Sequence, residues 1–227
     1  MDPSTTVNAD FSRRVVIDTN VQPWIASPEP GVERRLLDRV GGEQARATSL
    51  VRYAPGSSFA AHEHGGGEEF LVLEGVFSDE HGDYGPGTYV RNPPGSSHRP
   101  FSREGCTLFV KLRQFAPDDD RRVVIDTRAA AWSEPSDAGL SRVALHRHGE
   151  EKAALVRFAP GARVAHDPHP GGEELLVLEG VLSDEAGDYP AGTWVREPAG
   201  SVHAPFSDAG CLIYVKEGHL GGPERPA

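Results

Sequence analysis

The chain has 227 residues and a formal net charge of −11, from 23 Lys and Arg against 34 Asp and Glu. An acidic balance of this size excludes nucleic acid and anionic membrane as direct partners, because both demand a basic footprint. No stretch approaches the roughly 20 apolar residues of a membrane span, and the start Met1-Asp2-Pro3-Ser4 lacks the regions of a secretory signal, so a cytoplasmic protein is expected.

With 26 Gly and 19 Pro, the composition predicts many short strands joined by tight turns and little helix. The one plausible helical piece is Val32–Asp38, a turn or two, although the same residues suit a strand equally well. Ser49–Tyr53 reads as a strand ending at the Ala54-Pro55-Gly56 turn. Glu69–Leu73 is apolar on both faces and must be covered on both sides. Asp83–Gly87 breaks the chain before Thr88–Arg91, Asn92–Gly95 breaks it again before His98, and Cys106–Leu112 closes the unit. Six to eight short strands with a turn every 8–12 residues predict an all-β sandwich or small barrel.

The same series then repeats. Arg13-Arg14-Val15-Val16-Ile17-Asp18-Thr19 recurs as Arg121–Thr127, and Trp24 as Trp132, 108 residues on. From Val51-Arg52-Tyr53 the offset is 105, matching Val156-Arg157-Phe158, so one three-residue length change separates the copies. Two homologous domains are expected over 13–117 and 118–219, with tails at 1–12 and 220–227. Cys106 and Cys211 are equivalents in this repeat and read as small buried strand residues, not as a disulfide or a CxxC zinc site.

The repeat carries chemistry. His62, His64 and Glu68 share one strand parity, and His98 follows thirty residues later. The Gly65-Gly66-Gly67 run lets the backbone turn between His64 and Glu68. Three imidazoles and a carboxylate suit a divalent transition metal: zinc first, with iron, manganese or nickel as alternatives. Glu69 has the opposite parity and is expected beside the ligands or at the surface. In the second copy His169, Glu173 and His203 recur at the same offset, but Asp167 stands at the position of His62. His166 is the alternative to Asp167 if Pro168 introduces a bulge. That site is either harder and more anionic or degenerate and empty. His81, His146, His148 and His219 have no partners at ligand spacing and default to surface or loop. Trp24 and Trp132 are expected to pack onto the barrels. The recurring pairs Arg52/Arg157 and Arg91/Arg196 are candidates for a pocket wall facing an anionic substrate, or equally for structural ion pairs.

These residues resemble the cupin superfamily. Its first motif is met by Gly56, His62, His64, Glu68 and Gly75, and its second by Gly87, Pro93, Gly95 and His98, with Ser102 in place of the terminal Asn. The second copy supplies Gly161, His169, Glu173, Gly180, Gly192, Pro198, Gly200 and His203, with Ser207 at the Asn position. The resemblance implies two tandem double-stranded β-helix (jelly-roll) domains. Arg52–Gly56, Gly66–Glu80 and Arg91–Gly95 further resemble the cupin domain of ChrR-type anti-sigma factors, a zinc-binding, stress-sensing domain. In that family a separate N-terminal helical domain with an HxxxCxxC motif grips the sigma factor. No CxxC occurs here, which puts a sigma-factor partner in doubt. The resemblance supports a zinc-holding sensory or regulatory bicupin, or alternatively a non-haem dioxygenase acting on a diketone or related small carbonyl compound. Whether the chain is an enzyme stays open, as do a small-molecule ligand and the choice between a monomer with pseudo-dimeric halves and a homodimer.

Overall fold

The computed structural model describes residues 6–42 and 44–221, and among these there are strands and turns but no helix. The expected tails lie partly outside the described residues. Within them, Val7 bridges to Arg39 and the Leu220 N–H bonds to Gly171 O.

Among the described residues the chain forms two compact units, one of residues 6–9 and Pro23–Ala129, the other of Asp10–Gln22 and residues 130–221. In the first unit a seven-stranded sheet runs in the order Val123–Asp126, Thr88–Asn92, Glu68–Gly75, Cys106–Leu112, Arg46–Tyr53, Val32–Val40, Ile25–Ala26. A smaller sheet holds Ser57–Ser58, Phe101–Ser102, Phe77–Asp79 and Gly82–Tyr84. The core lies between them: Phe70, Val72, Val90, Leu108 and Val110 of the large sheet meet Phe77 and Tyr84 of the small one. Each such burial stabilises by about 1.5–3 kcal/mol. In the second unit Val15–Asp18, Thr193–Glu197, Glu173–Asp184, Cys211–Glu217, Glu151–Phe158 and Leu140–His148 form the main path. Its core replaces aromatics by aliphatics, with Leu175 and Leu182 at the positions of Phe70 and Phe77.

Val32–Val40 is a nine-residue strand, the strand alternative of the two readings that Val32–Asp38 allowed. Its pattern looked helical because a bulge at Leu36/Asp38 breaks the period-2 alternation. The leading strand of each repeat pairs beyond its own repeat. Val15–Asp18 pairs antiparallel with Thr193–Glu197, and Val123–Asp126 pairs with Thr88–Asn92, so each leading strand is hydrogen-bonded in the other repeat's sheet.

The glycine after the long central strand is a geometric necessity. Gly75 has φ 69° and Gly180 φ 74°, and a Cβ at either would run into the carbonyl of Gly105 or Gly210. Here the chain turns from the large sheet toward the small one.

Candidate metal centre

His62–Glu63 pairs antiparallel with Ser97–His98, which sets His98 directly opposite His62. His64 follows, and its carbonyl accepts hydrogen bonds from Gly67 N (3.2 Å) and Gly95 N (3.0 Å), closing the turn that returns the chain to Glu68. Gly67 holds φ 78°, and a Cβ there would collide with the Phe115 ring. Glu68 then opens the central strand.

The four predicted residues come together. Donor atoms of His62, His64, Glu68 and His98 all lie within 4.8 Å of one another. Glu68 Oε2 is 3.6 Å from both His64 Nε2 and His98 Nε2, and the three imidazole centroids are 4.9, 5.0 and 4.7 Å apart. The far sides of two rings are tied down: His62 Nδ1 lies 3.0 Å from Ala60 O, and His98 Nδ1 3.1 Å from Asp79 Oδ2. Asp79 is itself held by the Tyr84 hydroxyl and the His81 N–H, and Asn92 donates to Glu68 at 3.3 Å. Such outer partners fix which ring nitrogen faces inward. Burial pushes His64 down, toward its neutral, ligating form. His98 is held above its usual value: burial opposes this, but the Asp79 bond and the Glu68 charge outweigh it.

The residues fit a metal ion. His64 Nε2 and His98 Nε2 are buried with no hydrogen-bond partner, an arrangement that is costly unless something else binds them. Nitrogen and oxygen donors in this number suit zinc, iron, manganese or nickel.

The second quartet is built alike. Asp167 lies opposite His203, and Pro168 pairs with Val202 without a register shift, so no bulge intervenes. Asp167, His169, Glu173 and His203 place donor atoms within 4.8 Å of one another, while His166 is exposed and outside the group. His169 lies 3.9 Å from Asp167 Oδ2 and 3.7 Å from Glu173 Oε2, and His203 Nε2 lies 3.8 Å from Glu173 Oε1. His169 Nε2, His203 Nε2 and Glu173 Oε1 are again buried without partners.

The surroundings differ sharply. Leu112, Asn92 and His62 of the first repeat correspond to Glu217, Glu197 and Asp167 of the second. Burial raises the Glu173 carboxyl well above its ordinary value, and Glu217, Asp167 and Glu197 add to the rise. Glu217 Oε1 comes within 3.9 Å of His169 Nδ1 and its other oxygen pairs with Lys152 at 2.7 Å. Arg14, delivered by the exchanged leading segment, bonds Glu197, Asp184 (3.0 Å) and the Tyr189 hydroxyl (2.7 Å). A cavity of about 530 Å³ adjoins the first quartet, whereas the one beside the second is about 20 Å³.

Of the other expectations, those for Glu69, His146 and His219 are overturned, while the arginine pairs take the structural of their two proposed roles. Glu69 is neither beside the quartet nor at the surface: it is buried and bonds Arg91 (2.7 Å), which also bonds Asp119 (2.7 Å). Arg91 and Arg196 are therefore structural, Arg196 stacking on Phe11 at 4.3 Å. Arg52 and Arg157 stack on Trp24 (4.4 Å) and Trp132 (4.1 Å), and Arg52 also pairs with Glu33 at 2.5 Å. His146 and His219 are buried, and His219 Nε2 meets Glu174 at 2.5 Å. His81 is exposed and His148 half-buried. Sequence reasoning missed Asp79 and Asp184, although both recur at the same 105-residue offset as the ligand candidates.

Two sheets enclosing a core, with imidazoles and a carboxylate at one end of it, define a double-stranded β-helix protein of the cupin class, here in two copies. The family described as the ChrR cupin-like domain matches residues 12–116 and again 120–221, and the chain belongs to that family. Comparison with curated proteins gives no match. Among solved structures it resembles a proposed dioxygenase from Nostoc punctiforme (17% identity, 94% of this chain and 86% of that one, TM-score 0.76). It also resembles Ylba from E. coli (18%, 91% of each, TM-score 0.70) and a mutant of Bacillus subtilis oxalate decarboxylase (13%, 92% and 78%, TM-score 0.63). At these identities the likeness is one of fold.

Proposed function

We propose that the first quartet holds one divalent transition-metal ion, zinc by preference, and that the protein is a metal-binding bicupin of the sensory or regulatory kind. The observation that carries this is the pair of buried Nε2 atoms of His64 and His98 with no hydrogen-bond partner, in a quartet whose donor atoms, with those of Glu68 and His62, lie within 4.8 Å of one another. When bound, the ion supplies a Lewis-acidic centre. The chain's own part is to orient the rings through Ala60 O and Asp79 and to keep Glu68 in place through Asn92. The second quartet, crowded by its own carboxylates, is the weaker or harder site. Two buried cysteines with no disulfide agree with a reducing, cytoplasmic setting.

A second reading is favoured by one observation, the 530 Å³ cavity against the first quartet. A purely structural zinc site needs no such space, whereas a dioxygenase needs room for substrate and O₂ beside its iron. The Nostoc neighbour supports this reading only by analogy of fold.

Metal analysis of the purified protein, followed by oxygen uptake with acetylacetone after iron or zinc loading, tests both. Stoichiometric zinc and no oxygen uptake in either form is the result expected for the regulatory protein. Stoichiometric iron with diketone-dependent oxygen uptake replaces it with the enzyme, and protein that holds no metal at all defeats both.

A further inference from the structure

The cavity beside the first quartet is lined by apolar residues, including Val51, Phe59, Leu108 and Val110, and by three arginines, Arg34, Arg39 and Arg113. The strand that a bulge interrupts supplies two of these arginines. Arg34 lies opposite Val51 before the bulge and Arg39 opposite Ala47 after it. Without the extra residue, positions 34 and 39 have opposite parity and only one of them faces inward.

The arginines are short of partners. Among the described residues Arg34 makes no hydrogen bond or ion pair, and the Nε of Arg113 is buried with no acceptor. Arg39 bonds the Gly42 carbonyl. Glu29 and Glu63 also line the cavity, yet neither forms an ion pair with these arginines. Burial, reinforced by Arg39, lowers the Arg34 pKa. A guanidinium stays charged in proteins, so a half-buried one without a counter-ion calls for an anion, which it grips through two parallel N–H bonds.

The second repeat carries a carboxylate of its own in the corresponding region. There Glu217 stands where Leu112 leaves open space and Gly218 where Arg113 projects, and Glu217 lines the residual pocket together with Arg142, the counterpart of Arg34. The chain has placed its own carboxylate, on an aliphatic stem, at the end of the sheet that the first repeat keeps empty. We infer that the first cavity binds a small monocarboxylate with an apolar body, its carboxylate held by Arg34 and Arg113 and its body along Val51, Phe59 and Leu108. The inference deepens the proposed function, resting on its reading of the first repeat as the working site.

The test is calorimetric titration of the full-length, zinc-reconstituted protein with 4-methylpentanoate, its neutral amide and inorganic phosphate. The acid is expected to bind about tenfold or more tighter than the amide, since a charged bidentate pair is worth at least that factor. Arg34→Gln should remove that preference while leaving amide binding unchanged, Arg34→Lys should restore part of it, and Arg142→Gln should not alter it. Circular dichroism of each variant, with Arg113→Gln as a second probe, separates loss of the grip from loss of the fold. Equal binding of acid and amide, no binding of either, an unaffected Arg34→Gln or a preference for phosphate each overturns the inference. Metal content measured on the same samples keeps the two ideas apart. A loaded quartet with no carboxylate preference defeats this inference alone, and Arg34-dependent carboxylate binding by metal-free protein defeats only the metal reading.

Discussion

The two repeats share one fold and one placement of ligand candidates, yet one leaves a cavity of about 530 Å³ and the other nearly fills it. Four substitutions mark the contrast. Ala47 and Leu112, paired across neighbouring strands, become Lys152 and Glu217, which pair in the same register and join as a salt bridge at 2.7 Å. Asn92 becomes Glu197, which would add an unpaired negative charge were it not for Arg14. His62 becomes Asp167. A duplicated domain has kept its scaffold and let the two ends of its sheets diverge, so that one site has room for a ligand and the other is stopped with its own side chains.

The strongest way to break this comparison is to delete one ligand candidate from each copy. His98→Ala should cost one full equivalent of metal by mass spectrometry and lower the melting temperature of the metal-loaded protein, because a metal that binds only the folded state stabilises it. His203→Ala should cost less than one equivalent. Equal losses from both would show that the acidic surroundings of the second quartet do not weaken it. Next in size, transplanting the ion pair as Ala47→Lys with Leu112→Glu should close the first cavity and abolish small-molecule binding there while metal content stays at wild-type level. If binding survives, the Lys152–Glu217 pair is not what closes the second site.

Asp79→Asn should weaken metal binding by about 10–100-fold, as removal of an outer carboxylate from a ligating histidine does. Competition with a chelator reads this directly. Gly75→Ala and Gly180→Ala are expected to destabilise alike, by about 1–3 kcal/mol each in urea melts, since both hold positive φ against a facing carbonyl. A difference between them would locate divergence in the scaffold itself.

The smallest effect concerns the paired thiols. Burial pushes Cys106 up to about 11 and raises Cys211 as well. The folded state thus keeps its proton where the unfolded chain loses it, so this contribution to stability is present below pH 9 and falls as pH rises toward 11. Neither thiol should react with iodoacetamide at pH 8 in native protein, and both should react in urea. Labelling of Cys106 alone would show that the first unit opens more readily.

The duplication, the all-β class and the convergence of both candidate quartets were legible in the sequence because they rest on fixed offsets and on strand parity. What stayed hidden has physical causes. Parity reasoning assumes an unbroken ladder, so the bulge at Leu36/Asp38 left Val32–Asp38 ambiguous between strand and helical turn and concealed that Arg34 and Arg39 line the same cavity. The arginines that did recur conspicuously, Arg52 and Arg91, are consumed by Trp24 and by Glu69 with Asp119. The choice of partner for the leading strands was illegible for a simpler reason: Arg13–Thr19 and Arg121–Thr127 are identical, so neither sequence says which sheet it will join.

That identity bears on how the molecule is made. Synthesis proceeds from the N-terminus, and domains fold as they emerge. Val15–Asp18 is finished almost at once, but its partner Thr193–Glu197 is among the last strands to leave the ribosome. The slot beside Thr88–Asn92 appears much earlier and fits the same seven residues. The early strand is thus a ready temporary occupant of a place that Val123–Asp126 later takes. By sequence each twin strand fits either slot, and the folded protein keeps the arrangement in which each lies in the other repeat's sheet.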